Sequence, residues 1–154
     1  MTIFIGADHR GFKLKNKIIE YLKQKNIHVE DMGNYEYDPE DDYPDFAKKV
    51  ARAVLQNPKD FLGIVICGSG VGVSVVVNRF KGIRCALGFS EDQVKHAKEN
   101  DHINVLALAA DYFKNDDKKN DQGIEKAKKL VDAFIQIPPK MEEKYLRRIK
   151  KIDE

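Results

Sequence analysis

A thiol, a hydroxyl and several glycines lie together in one short segment, Cys67-Gly68-Ser69-Gly70-Val71-Gly72. The segment follows a predicted strand and opens a predicted helix, and glycines at such a turn let backbone N–H groups approach an anion closely. It lacks the Gly-Lys-Ser/Thr ending of a Walker loop and the Gly-x-Gly-x-x-Gly spacing of a dinucleotide site. The segment therefore favours a phosphate, a carboxylate or an enediolate as its ligand, rather than a nucleotide.

The thiol of Cys67 has two interpretations from its position alone. Beside a helix N-terminus, a thiol can have a lowered pKa. A cysteine in the same place can equally be a small buried apolar residue next to a tight turn. Both interpretations stay open at this point. The other cysteine, Cys85, lies inside a predicted strand and is expected to be a core residue.

Polar side chains follow the first predicted strand and precede the fifth. Asp8, His9 and Arg10 supply an acid, an imidazole and a guanidinium at a strand-to-helix turn, where a polar ligand could bind. The alternative is that Asp8 caps the helix and His9 is simply exposed. The role of the segment Asn100-Asp101-His102 is equally undecided, because such residues form turns as readily as they form binding sites.

The last predicted helix carries Lys144 and Arg148, which are four residues apart and so lie on one helix face. This spacing suits the binding of a phosphate. From Lys140 to Lys151 the net charge is +4, with six basic and two acidic residues. Such a run usually forms a solvated face, and it lacks the interleaved aromatic residues typical of nucleic-acid binding.

The composition is that of a globular domain, with 154 residues, a formal net charge of +2, 42% hydrophobic residues and 34% charged residues. The length predicts one domain, 1–154, and the near-neutral charge argues against a dedicated nucleic-acid binder. Two cysteines are too few for a disulfide framework. The segment Met1–Gly11 lacks the features of a signal peptide, so we expect a cytoplasmic protein.

One uncharged run of 17 residues, Phe61–Val77, is the only hint of a membrane segment. A membrane span needs roughly 20 apolar residues, and each glycine in a helix interior costs about 1 kcal/mol. Because the run is short and has its glycines in the middle, we expect a buried strand, a glycine turn and a helix start, with no membrane contact.

Short apolar runs alternate with helical patterns along the chain. Strands are predicted at Thr2–Gly6, Ile27–Asp31, Leu62–Cys67, Ile83–Gly88 and Ile103–Ala110. Helices are predicted at Phe12–Lys25, Phe46–Leu55, Gly123–Ile137 and Met141–Ile152, with others after the glycine turn and after the capping pattern that begins at Ser90. An acidic loop, Gly33–Asp42, is long enough to suggest a role at a site. The alternation implies the α/β class, a parallel sheet with helices on both faces and ligands beyond the carboxyl ends of its strands.

Taken together, these segments resemble the ribose-5-phosphate isomerase B family, which includes galactose-6-phosphate isomerase subunits. The resemblance runs through nearly the whole chain, at Gly6–Lys13, Asp42–Ala47, Ile66–Ser74, Asn78–Arg84, Asn104–Leu108 and Lys144–Ile149. It implies a single Rossmann-like, doubly wound domain with a five-stranded parallel sheet. It also implies a phosphorylated sugar as substrate, a homodimer or dimer of dimers with sites between subunits, and no metal or organic cofactor. The basic helix in 138–154 is expected to complete the site of the partner subunit.

By position, the resemblance makes Cys67 the general base that moves a proton between C1 and C2 of the open-chain sugar. Ser69 would relay protons between the sugar oxygens, and the backbone around Gly68, Gly70 and Gly72 would stabilise the enediolate. The expected catalytic residues are Cys67, Ser69 and Asp8, which match the family by position, and His102, which is the favoured imidazole for ring opening. The remaining contacts to the sugar and its phosphate would come from His9, Tyr43, Asn100, Asp101, Lys144 and Arg148.

The chain departs from the family pattern where the ring-opening histidine is usual. An ungapped match puts Asn100 at that position, and the nearest imidazole is His102, two residues later. Either His102 opens the sugar ring from a shifted loop, which we favour, or another group performs this step.

A second departure is Asp111, which stands where the family often has a phosphate-binding arginine. An acid there would repel phosphate, so we expect phosphate binding to depend on His9, Lys144 and Arg148. Lys144 itself replaces a usual arginine, which keeps the charge and loses the bidentate fork.

The sequence therefore predicts a cofactor-independent aldose–ketose isomerase that interconverts ribose 5-phosphate and ribulose 5-phosphate. The nearest alternative is an isomerase of a hexose 6-phosphate, allose or galactose, with a longer pocket. A catalytically silent sugar-phosphate-binding module is a further alternative, although pure binding has no need for the thiol of Cys67. A doubly wound signalling domain has thin support, from Asp8 alone.

Overall fold

The structure of the chain, a computed structural model, describes residues 1–113 and 121–154. The strands are β1 (Thr2–Ala7), β2 (His28–Asp31), β3 (Phe61–Cys67), β4 (Cys85–Leu87) and β5 (Val105–Ala109). The helices are α1 (Phe12–Gln24), α2 (Tyr43–Gln56), α3 (Val71–Val77), α4 (Glu91–Asp101), α5 (Gln122–Gln136) and α6 (Glu143–Lys150). A single 3₁₀ turn, Ala110–Phe113, follows β5.

The strands form one parallel sheet in the order β2-β1-β3-β5-β4. In its register, Ala7 of β1 pairs with Ile66 of β3, and Cys67 of β3 pairs with Ala109 of β5. The carboxyl ends of these three strands therefore lie side by side in the middle of the sheet. The predicted doubly wound α/β domain with a five-stranded parallel sheet is confirmed.

Each face of the sheet has its own apolar core. Helices α1, α4 and α5 cover one face, and α2 and α3 cover the other. Side chains alternate along β3, so that Ile64 and Ile66 enter the first core while Val65 and Cys67 enter the second. The thiol of Cys67 consequently lies on the side of the sheet that α3 covers.

The predicted elements are present, with ends that differ by up to three residues from the sequence-based bounds. Helix α2 begins at Tyr43 rather than Phe46, because Pro44 is well suited to a first helical turn. The capping prediction is confirmed, since Oγ of Ser90 accepts the N–H of Gln93 at 3.2 Å. The strand predicted at Ile83–Gly88, which was expected to be buried, is corrected in two respects: β4 has only three residues, and it is half-buried because it lies at an edge of the sheet.

The uncharged run Phe61–Val77 divides as predicted into a strand, a glycine turn and a helix. In the two described stretches of the chain, no helix is both long enough and apolar enough to span a membrane.

Candidate active site

A cleft of about 500 Å³ opens where the carboxyl ends of β1, β3 and β5 meet. Its walls come from the turns that follow these strands and from the first residue of α2. The residues that line it are Asp8, His9, Arg10, Tyr43, Cys67, Gly68, Ser69, Gly72, Asp111 and Tyr112. Ligands of parallel sheets bind at this edge, so the cleft is the candidate active site.

Cys67 is the last residue of β3 and lies in the floor of the cleft, with 5% of its surface exposed. The same residue packs into the core under α2 and α3. The side chain is therefore buried, as the core interpretation predicts, and it also reaches the cleft. A role of this thiol as a base stays a prediction. Cys85 packs against the same core from the edge strand, and burial raises the pKa of its thiol to about 12.

The glycine turn, Gly68–Gly72, is in close contact with neighbouring residues. Gly70 has a left-handed backbone (φ +71°) and packs against the end of β5, where a Cβ would lie 3.1 Å from the backbone N of Ala109. Gly72 lies under the ring of Tyr43, and a Cβ there would be 2.9 Å from two ring carbons. Gly72 lines the cleft and Gly70 instead supports the turn from behind. Oγ of Ser69 accepts the N–H of Val71 at 3.3 Å, which closes the turn.

Asp8 follows β1 directly and has 5% of its surface exposed. Its Oδ1 accepts the N–H of Gly11 at 3.0 Å, so the carboxylate does bind the turn that begins α1. Burial raises the pKa of Asp8 above its usual value, and the bond from Gly11 opposes this only in part. Asp8 thus both holds its turn and presents a desolvated carboxyl to the cleft.

His9 is held by Asp41, a residue that sequence reasoning did not assign to the site. Oδ1 of Asp41 accepts the backbone N–H of His9 at 2.8 Å and lies 2.7 Å from its Nδ1. The other oxygen, Oδ2, accepts the side-chain amide of Asn34 at 2.6 Å. The hydrogen bond to Asp41 raises the pKa of His9. The signal in the sequence was the long acidic loop Gly33–Asp42, which folds over the end of β1.

Arg10 and Asp111 form an ion pair at the mouth of the cleft. The backbone N–H of Asp111 also donates to the carbonyl oxygen of Gly68 at 3.0 Å, which fixes it beside the glycine turn. The acid at this position is therefore paired with a guanidinium, a contact that the sequence pattern did not predict.

The segment Asn100-Asp101-His102 lies outside the cleft of its own chain. Helix α4 runs back along the sheet, so these residues precede the amino end of β5, roughly 15 Å along the strand from the cleft. Nε2 of His102 donates to the carbonyl oxygen of Lys140 at 2.7 Å. The amide of Asn100 contacts the ring of His96 at 2.9 Å. The predicted site roles of these residues remain predictions.

Lys144 and Arg148 also lie outside the cleft, on α6, a helix that has no buried residue. The segment before α6 is tied to α4, since Nζ of Lys140 lies 2.7 Å from a carboxylate oxygen of Glu99. The segment after it returns to the sheet, where the carboxylate of Asp153 accepts the N–H of Gly82 at 3.0 Å. The basic helix is thus anchored at both ends and exposed between them.

Within 1–113 and 121–154, no group of three or more His, Cys, Asp or Glu side chains is arranged to hold a metal ion.

Known proteins match both the sequence and the fold. A family model for ribose/galactose isomerases matches residues 3–152. A probable ribose-5-phosphate isomerase B of Mycoplasma genitalium is 41% identical over 134 residues, which are 87% of this chain and 82% of that protein. The ribose-5-phosphate isomerase B of Mycobacterium leprae is 34% identical over 149 residues, which are 97% of this chain and 86% of that protein. The crystal structure of ribose-5-phosphate isomerase B from Mycoplasma genitalium with bound ribulose 5-phosphate has a TM-score of 0.87 and 40% identity, and the match covers 98% of this chain and 93% of that one. The chain therefore belongs to the ribose/galactose isomerase family of enzymes, as its motifs predict.

Proposed function

We propose that the chain interconverts ribose 5-phosphate and ribulose 5-phosphate through an enediolate, with Cys67 as the base. One observation carries the proposal: Cys67, Asp8 and the glycine turn line the same cleft in a chain 40% identical to an isomerase solved with ribulose 5-phosphate bound. Isomerisation is redox-neutral and requires only proton transfers, so side chains and backbone groups suffice for it.

The proton transfer begins on the open-chain aldose. The thiolate of Cys67 removes the proton from C2, and the electron pair moves through the C1–C2 bond to the aldehyde oxygen. Backbone N–H groups of the glycine turn stabilise the oxygen of the enediolate. The thiol then returns the proton to C1, while the hydroxyl of Ser69 carries a proton from O2 to O1. The product is the ketose, and the thiolate is regenerated.

We also propose that a second copy of the chain completes the site, as a homodimer or a dimer of dimers. His102 would open the sugar ring from the partner, while Lys144 and Arg148 would bind the phosphate. All three residues lie outside the cleft of their own chain, so they reach substrate only if another copy brings them there. The segment 138–154 would then act in trans.

The surface next to the cleft supports this assembly. An apolar groove of about 400 Å³ adjoins the glycine turn and shares Ser69 and Tyr112 with the cleft. Tyr112 and Phe89, which border the groove, have 79% and 74% of their surface exposed. Aromatic side chains of this size are enriched where protein surfaces meet.

The two cysteines are both free, which fits the reducing cytoplasm where we propose that the enzyme acts.

The activity is tested with purified protein and ribose 5-phosphate, following the formation of ribulose 5-phosphate. We expect turnover by the wild type, and a loss of roughly 10²- to 10⁴-fold in kcat for Cys67→Ala, the usual contribution of a positioned base. Cys85→Ala is the matched control and should keep its activity. Full activity of Cys67→Ala would disprove the thiol base.

The same assay separates the alternatives. Faster turnover of allose 6-phosphate or galactose 6-phosphate than of ribose 5-phosphate would assign the enzyme to hexose phosphates. Binding of these sugars without turnover of any would indicate a silent binding module.

The shared site is tested by subunit complementation. Cys67→Ala and Lys144→Ala/Arg148→Ala chains are each expected to be weakly active alone. When they are co-expressed, a mixed dimer has one site with both intact halves, so about a quarter of the wild-type activity should return in a random mixture. No recovery in a mixture shown to contain mixed dimers would mean that Lys144 and Arg148 do not act in trans.

A further inference from the structure

The guanidinium of Arg10 lies against the glycine turn at the mouth of the cleft. A Cβ built on Gly68 would be 2.5 Å from Nε of Arg10 and 2.8 Å from its Cζ. Only a residue without a side chain leaves room for this contact, so Gly68 serves Arg10 as well as the turn. The guanidinium therefore has a defined position next to Cys67 and Ser69.

Asp111 holds the guanidinium in that position. Its Oδ2 accepts from Nη2 of Arg10, and its own backbone N–H donates to the carbonyl oxygen of Gly68. The carboxylate side chain is 23% exposed and the arginine side chain is 56% exposed, so the inner partner of the pair is the acid. A guanidinium has five N–H donors in a planar fork, and a single carboxylate oxygen engages only part of that set.

The charges of the cleft give Arg10 a particular importance. Of the described residues that line the cleft, Arg10 is the single lysine or arginine, while Asp8 and Asp111 are acids. The neighbouring His9 is held by Asp41, which raises the pKa of the imidazole. A sugar phosphate brings close to two negative charges into the cleft, and it needs a cation with fixed geometry to offset them.

We propose that Arg10 is a phosphate ligand that each chain supplies to its own cleft, and that Asp111 is the positioning residue that holds its guanidinium over Gly68. The inference deepens the proposed isomerase activity and rests on it. It also gives Asp111 a function, because the acid orients a cation instead of repelling the substrate.

The first test measures KM and kcat for ribose 5-phosphate in Arg10→Ala and Arg10→Gln. A charge-assisted hydrogen bond contributes enough that its loss should raise KM roughly 10- to 100-fold, with a smaller change in kcat. Lys17→Ala removes an equal charge from the exposed face of α1, where the side chain is 58% exposed, and should leave both constants unchanged. An unchanged KM in both Arg10 variants would overturn the inference.

A double variant distinguishes phosphate binding from mere neutralisation of Asp111. If Arg10 only neutralised the acid, Arg10→Ala/Asp111→Ala would recover the wild-type KM, and that recovery would overturn the inference. If Arg10 binds phosphate, the double variant should stay as weak as Arg10→Ala. Asp111→Asn alone should raise KM by less than Arg10→Ala does, because the guanidinium is still present but is held less firmly.

Binding of inorganic phosphate provides a readout that does not depend on turnover. Calorimetry or NMR titration should show weaker phosphate binding by Arg10→Ala than by the wild type or Lys17→Ala. This result would stand even if the wild type failed to isomerise ribose 5-phosphate, so the two proposals fail separately. Equal phosphate affinity in Arg10→Ala and the wild type would refute the role of Arg10.

Discussion

Oδ1 of Asp41 lies 2.7 Å from Nδ1 of His9 and 2.8 Å from the backbone N of the same residue, although the two residues are 32 positions apart. One carboxylate oxygen thus fixes both the backbone and the ring of the histidine. With Nδ1 engaged, Nε2 is the ring nitrogen left to meet a ligand. The acidic loop therefore orients the imidazole and also supplies the negative charge that favours its protonated form.

Replacement of Asp41 by asparagine should lower the pKa of His9. The aspartate raises this pKa above the usual value of 6.5, chiefly through its hydrogen bond to the ring. An amide keeps the shape and loses the charge, so the midpoint of the His9 titration should move to lower pH. The ring protons of His9, followed by NMR across the neutral range, measure the change directly.

Asp38→Asn is the matched control for this change, because Asp38 is exposed in the same loop and its carboxylate accepts the N–H of Glu40. The pair also affects stability: its contribution is fully present below pH 6.5 and is lost as the pH rises through the raised pKa of His9. An identical His9 titration in the wild type and in Asp41→Asn would contradict this account.

The two thiols should differ in their reaction with an alkylating agent. Cys67 reaches the cleft, whereas burial raises the pKa of Cys85 to about 12 and keeps it protonated at neutral pH. Because the thiolate is the reactive form, one thiol per chain should be modified, with loss of activity. Peptide mass mapping identifies the modified cysteine.

Saturating ribose 5-phosphate should slow this modification, since the sugar would occupy the cleft above Cys67. Cys85→Ala should be inactivated at the wild-type rate, which makes it the control. Modification of Cys85 ahead of Cys67, or an equal rate with and without substrate, would argue against a Cys67 thiol in the site.

The sequence was sufficient for those parts of the site that depend on local pattern. Cys67, Ser69 and Asp8 stand at the ends of apolar runs, and parallel strands bring such ends to one edge of the sheet. Periodicity thus predicts the elements, and the elements place these residues in one cleft.

Contacts between distant loops could not be predicted in this way. The pairing of Arg10 with Asp111 joins residues 101 positions apart, and that of His9 with Asp41 depends on the path of an irregular loop. Neither path has a periodic signal. The position of His102 was hard to predict for another reason. A helix such as α4 ends near the amino ends of the strands, whereas the cleft lies at their carboxyl ends.

Lys15→Met should destabilise the fold. The side chain of Lys15 is fully buried, and its Nζ lies 2.7 and 2.6 Å from the two carboxylate oxygens of Asp31. Asp31 in turn accepts the N–H of Gly33, so the pair joins α1 to the end of β2. The Asp31 side chain left without its partner is 32% exposed, so the loss should be that of a charged hydrogen bond, about 2 kcal/mol, which urea unfolding would measure.

Lys17→Met is the control on the exposed face of the same helix, where a carboxylate oxygen of Glu20 lies 4.0 Å from Nζ of Lys17. Its free energy of unfolding should stay within about 0.5 kcal/mol of the wild type. If both variants unfold at the same urea concentration, the buried pair does not stabilise the protein.

Lys98 should make the free energy of unfolding depend on pH in the alkaline range. The lysine is buried, with Nζ 3.2 Å from the carbonyl oxygen of Ile103, and desolvation lowers its pKa from 10.5 to about 8. Between these two values the unfolded chain binds more protons than the folded one, so folding becomes more favourable as the pH rises. Relative to Lys98→Met, the wild type should gain about 2 kcal/mol between about pH 7 and pH 10, as measured by urea unfolding at each pH. Lys95→Met, on the exposed side of α4, is the control, and its free energy of unfolding should keep a constant difference from the wild type across this pH range. A constant difference between the wild type and Lys98→Met would mean that Lys98 does not lose its proton in the folded state.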